Sequence, residues 1–141
     1  MIDIYLIIQI AIIFFLVVLS AFFSSSETAV TSISEPLLQK KISENDIKAI
    51  NAQKLLRKKE LAISAILLGN NLVNILSSAL ATNLLIKFFG TIGILYSTLL
   101  MTSLIFIFAE VLPKIYAIRK PETLLLYYTP FLLFFIWILS P

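Results

Sequence analysis

Apolar and polar residues alternate along this chain in long blocks. Three apolar runs, residues 4–23, 61–86 and 92–112, each supply roughly the 20 residues that a helix needs to cross the hydrocarbon core of a bilayer. A fourth run, 124–139, is shorter, and Pro130 interrupts it; an internal proline breaks the hydrogen-bond ladder of a helix. Tyr127, Tyr128 and Trp137 in that run are residue types that gather at the membrane–water interface. The pattern predicts three transmembrane helices followed by a broken juxtamembrane helix over residues 123–139, lying in or dipping into the interface. The other reading of that segment is a fourth span. Between the first two spans, residues 34–60 mix charges with spaced apolar positions (Leu37, Leu38, Ile42, Ile47, Ile50, Leu55 and Leu56). Ser43 followed by Asp46 reads as an N-cap with its helix-starting acid, so a pair of short helices is expected there.

Composition narrows the class. The 141 residues are 60% hydrophobic and 13% charged, with a mean hydropathy of +1.00. A soluble domain carries about twice that charge, so the expected fold class is an all-α integral membrane protein. The first run is too long for a signal-peptide core, and FFSSSE is a poor cleavage site; the run is read as a retained helix. The chain has no cysteine and no histidine, which excludes disulfides, zinc sites and histidine-based catalysis. The oxygen donors that remain suit hard cations such as Mg2+ or Ca2+.

Charge sets the expected orientation. Lys40, Lys41, Lys48, Lys54, Arg57, Lys58 and Lys59 lie between the first two spans, only Lys87 between the second and third, and Lys114, Arg119 and Lys120 after the third. The positive-inside rule places the first and last groups in the cytoplasm and the N-terminus outside. The net charge of +3 therefore reports topology, and no nucleic-acid partner is expected.

Each span carries its own polar cluster. Ser24, Ser25, Ser26 and Glu27 end the first run, Asn70, Asn71 and Asn74 lie in the second, and Glu110 lies near the end of the third. Asn70 and Asn74 are four apart and share a helix face, with Ser77, Ser78 and Ala81 continuing it, while Asn71 points elsewhere. That face reads equally as a helix–helix seam or as a ligand surface, and Gly69 beside it allows close approach to backbone carbonyls. Glu110 precedes Pro113, which cannot donate to the Ala109 carbonyl. A carboxylate beside a freed carbonyl begins a cation cage; the competing reading is a snorkelling Glu110 paired with Lys114. The serines read as a helix break whose exposed carbonyls coordinate an ion, or as a plain break at the membrane surface. Polar groups at membrane depth are costly and usually face a cavity, a partner or an ion path. By the orientation above all three clusters fall in the cytoplasmic half, and their coincidence predicts one site.

The blocks FFSSSETA (22–29), LLGNNLVNILSSALA (67–81) and FAEVLPKIYAIRKPE (108–122) resemble, in order, spacing and content, the transmembrane domain of the CorC/CNNM magnesium transporters. Ser25 departs from the glycine common in that family. The resemblance implies a homodimer in the cell membrane, a bacterial inner membrane, each subunit with three spans and a juxtamembrane helical belt. It implies one Mg2+ per subunit, held without its water shell in an inward-facing cavity. The ligands carried onto this sequence are Ser24, Asn70 and Glu110, with Asn74 and backbone oxygens near Gly69 or the serine turn completing the set. Relatives continue into CBS-pair domains that bind ATP; none lies in these residues, and the chain is expected to be an isolated transmembrane portion.

Two functions follow. One is Mg2+ efflux, coupled to an inward Na+ flux as the resemblance suggests. The other is a non-transporting Mg2+ sensor or membrane anchor for cytoplasmic regulatory domains. An enzyme is not expected: besides lacking histidine, the chain lacks the paired aspartates of intramembrane aspartyl proteases.

Overall fold

The computed structural model describes residues 4–33 and 35–139, the side chains of Glu35, Leu37 and Leu139 excepted. All of its regular elements are helical: α1 (Ile4–Ser32), α2 (Glu35–Ser43), α3 (Ile47–Arg57), α4 (Lys59–Phe89), a 3-10 turn (Gly90–Ile92), α5 (Gly93–Leu104), a π-helical turn (Ile105–Val111), α6 (Leu112–Arg119) and α7 (Pro121–Leu139).

Helix α1 does not stop at the serines. It continues to Ser32 because Ser25 and Ser26 turn their hydroxyls back onto the Phe22 carbonyl (3.0 and 2.7 Å) and leave the helical ladder intact. Ser25 therefore sits in ordinary helix, where no glycine is needed. Two short helices fill the polar loop, but Ser43 is not the cap. Its hydroxyl closes the end of α2 by donating to the Lys40 carbonyl, and Asp46 alone caps α3 by accepting from the Lys48 N–H at 2.9 Å.

The second and third apolar runs are separated by a tight turn that depends on two glycines. Gly90 has φ 71° and ψ −149°, a conformation that L side chains rarely adopt. Gly93 lies so close to the end of α4 that a Cβ there would be 2.6 Å from the Leu85 carbonyl carbon and oxygen. Beyond it the third run stays helical as far as Arg119, but its middle widens into the π turn, where the Leu112 N–H reaches back five residues to the Ile107 carbonyl. Pro113 is the cause. Its ring clashes with the carbonyl one α-turn back and it has no N–H to donate; a wider turn relieves both demands. Pro130 has a milder effect: α7 runs unbroken through it from Pro121 to Leu139, against the expected break.

Shared neighbours fix the directions of the spans. Ser20 bonds Asn70, whereas Ile10 and Ile13 line one cavity with Ala81, Leu84 and Leu85, so α1 and α4 are antiparallel. Ile10 to Ala21 line a cavity with Leu104 and Phe108, and Val18 to Ser25 line another with Leu112, Pro113 and Tyr116, so the third span is parallel to α1. α1, the stretch Lys59–Arg119 and α7 are each long and apolar enough to cross a membrane, and the middle one folds back at the 3-10 turn to make two passes. Large apolar side chains such as Phe14, Ile75 and Leu99 are exposed along the spans, as a surface solvated by lipid requires. Helix α7 packs on α1, α3 and α4. Its rings Tyr128, Phe131 and Phe135 surround Phe22, with centroids 4.7 to 6.3 Å away, a cluster that fastens α7 to the α1 turn just before the serines.

Candidate cation site

The seam between α1 and α4 is built from small residues. Ala62, Ala65, Ile66, Gly69, Val73, Ser77 and Ala81 are buried along α4, and Ser20, Phe23, Ser24 and Ser26 along α1. At Gly69 the reason is steric: a Cβ there would be 2.7 Å from the tip of the Phe23 ring. Phe23 is itself 1% exposed and held against Phe135. Gly69 thus seats a phenylalanine, which is a packing role.

One hydrogen bond ties the two helices at this level. The Ser20 hydroxyl, fully buried, donates to Asn70 Oδ1 at 2.8 Å. From that point the antiparallel register carries Ser24 one turn toward the loop end of the bundle and Asn74 one turn the other way, about 6 Å each along the axes. Asn74 leans back, its Nδ2 donating to Asn70 Oδ1 at 3.5 Å. Two oxygens are left over. Ser24 Oγ and Asn74 Oδ1 are buried and have no hydrogen-bond partner, although buried side-chain oxygens are nearly always paired and each orphan costs about 1–3 kcal/mol. Asn71 is exposed and takes no part.

Glu110 enters from the third span. The π turn buries Ala109 completely and leaves Glu110 half-buried. Phe108 lines a cavity with Ala21 and Leu112 lines another with Ser25, so Glu110 lies near the level of Phe23 and Ser24. Among the described residues its carboxylate makes no hydrogen bond and no ion pair. Lys114, four positions on, forms no ion pair with it among the described residues. Glu27 is half-buried at the end of the serine turn and its carbonyl accepts from Thr31.

Of the five residues singled out in the sequence, the structure puts Ser24 and Glu110 near one level of the bundle and Asn70 one turn from them, at the level of Ser20. Asn74 lies a further turn away and touches Asn70 alone of the other four, and the space beside Gly69 is filled by the Phe23 ring. Ser20 went unread. A lone serine inside an apolar run looks like filler, and only its spacing of four from Ser24 marks it as part of the same face.

Comparison with known proteins finds relatives among membrane proteins. The profile described as the cyclin M transmembrane N-terminal domain (CNNM) matches residues 11–141. The chain is 41% identical over 104 residues to the UPF0053 inner membrane protein YfjD of Escherichia coli, covering 74% of this chain and 24% of that protein. It is 39% identical over 105 residues to a UPF0053 protein of Haemophilus influenzae, covering 74% and 25%. It is 32% identical over 107 residues to a chloroplastic DUF21 domain-containing protein of Arabidopsis thaliana, covering 74% and 16%. The chain thus spans about a quarter of the length of the bacterial relatives it matches. With the match extending from residue 11 to residue 141, this multi-pass membrane protein belongs to the CNNM transmembrane-domain family.

Proposed function

We propose that this domain carries Mg2+ out across the membrane through a dehydrated site formed by Ser24, Asn70 and Glu110, open toward the side that bears α2 and α3. The observation that carries the reading is the pair of buried, unpartnered oxygens, Ser24 Oγ and Asn74 Oδ1, on either side of Asn70. A seam has no use for them; a hard cation does, since Mg2+ takes oxygen ligands. The unpaired Glu110 supplies the negative charge near the level of Ser24. Neutral oxygens and one carboxylate give weak, reversible binding, which an ion that must leave again requires.

The remaining parts of the proposal follow the family. The basic loop and the end of α6 face the cytoplasm, two copies assemble as a dimer, α7 forms a belt at the cytoplasmic surface, and Na+ entry drives export. Packing of α7 on α3 supports the belt, because it holds α7 at the loop end of the bundle. ATP acts only through cytoplasmic domains of the longer relatives.

The test is Mg2+ flux in proteoliposomes, wild type against Glu110→Gln, with and without a Na+ gradient. Flux that disappears in the variant is the expected result. Mg2+ binding with no flux in the wild type would replace transport by a sensor or anchor role. Flux indifferent to Glu110 would remove the site itself.

A further inference from the structure

We propose that Ser20 is a positioning residue for the cation site, holding the Asn70 carboxamide with its oxygen turned toward α1. This rests on the reading of Asn70 as a cation ligand. A carboxamide has nearly the same shape in either orientation, and the wrong one presents N–H groups, which repel a cation. In the right one, the orientation present here, Asn70 Oδ1 accepts from two groups: Ser20 Oγ at 2.8 Å and Asn74 Nδ2 at 3.5 Å. A carboxamide oxygen has two lone pairs, so both donors together leave none for an ion. The longer contact lies at the edge of hydrogen-bonding distance and is the one that yields. The ion then takes the lone pair that Asn74 gives up, and the Ser20 bond persists beneath it. Asn74 is freed to present its unpartnered Oδ1 in place of its N–H. Ser20 can serve this way because it is fully buried on α1, the helix that carries Ser24.

The experiment is calorimetric titration of the purified full chain with MgCl2 alone, accompanied by melting curves without added Mg2+. Groups that orient metal ligands typically change affinity 10–100-fold when removed. Ser20→Ala is expected to weaken Mg2+ binding by roughly tenfold. Ser20→Cys fills the same space with a weak donor and is expected to show the same loss, which keeps the test decisive if the alanine variant does not fold. Ser20→Thr, which retains the hydroxyl, restores affinity to within about threefold. Ser26→Ala is the control, since that hydroxyl is equally buried but bonds only its own helix at the Phe22 carbonyl; its affinity stays at the wild-type value. Wild-type affinity in Ser20→Ala or Ser20→Cys with a lowered melting temperature would reduce Ser20 to a helix tie and overturn the proposal. No Mg2+ binding by the wild type would overturn the site and this inference together.

Discussion

Among the described residues two polar side-chain ties join α4 to other spans, and they differ in what they leave over. Toward the hairpin end, the Thr82 and Ser97 hydroxyls lie 2.8 Å apart, and Thr82 also donates to the Ser78 carbonyl at 2.8 Å. Ser97 is 1% exposed, and both hydroxyls are satisfied. Toward the loop end, Ser20 and Asn70 make an equally short bond, but the residues one turn to either side keep unpartnered oxygens. Both ties join α4 to another span through small hydroxyl or amide side chains in otherwise apolar helix, so composition does not separate them. The hydrogen-bond count does. A seam closes its polar groups because lipid offers no alternative partner; the loop-end cluster keeps two oxygens and a carboxylate open.

The sharpest way to break this comparison is Glu110→Gln. A carboxylate about 4 Å from a single positive charge contributes about 4 kcal/mol at the dielectric typical of partly buried pairs, which is about a thousandfold in affinity. Titration of the variant with MgCl2 is expected to show a loss of at least that order. A loss below tenfold would mean that Glu110 does not face the ion.

Gly93→Ala comes next and acts at the closed end. The added methyl meets the Leu85 backbone, which cannot swing aside as a side chain can. Overpacking of this kind costs about 1–3 kcal/mol, expected as a lower melting temperature with Mg2+ affinity unchanged. A change in affinity would show that the hairpin turn and the site move together.

The sequence made the spans legible because block hydropathy is a coarse signal, averaged over about 20 residues. Their ends were harder. Whether Ser24–Ser26 break a helix depends on where three hydroxyls turn, and here Ser25 and Ser26 turn inward onto Phe22. Pro130 offered the same choice, and α7 continues through it. Pro113, by contrast, reshaped its surroundings into the π turn that carries Glu110. Of the candidate site, Ser24, Asn70 and Glu110 were readable as polar groups in costly places. Ser20 was not, because its importance lies in a bond to a residue 50 positions away. Gly69 has a packing role that the sequence did not show: a glycine beside an asparagine reads as backbone access, and the ring that fills the space of its missing side chain comes from another helix.

The smallest effects sharpen the comparison most, because the two ties predict opposite signs. Ser97→Ala removes half of a satisfied buried pair, and losing such a bond costs about 1 kcal/mol. Its melting temperature without Mg2+ should fall, and its Mg2+ affinity should stay constant. Ser24→Ala removes a hydroxyl that bonds nothing, so the Mg2+-free protein should melt at the same temperature or slightly higher. Its affinity should nevertheless fall, and the gap in melting temperature with and without Mg2+ should shrink, since an ion stabilises only in proportion to how tightly it binds the folded state. If Ser24→Ala instead lost stability like Ser97→Ala and kept its affinity, the unpartnered oxygen would belong to helix packing. The loop-end tie would then be a second seam.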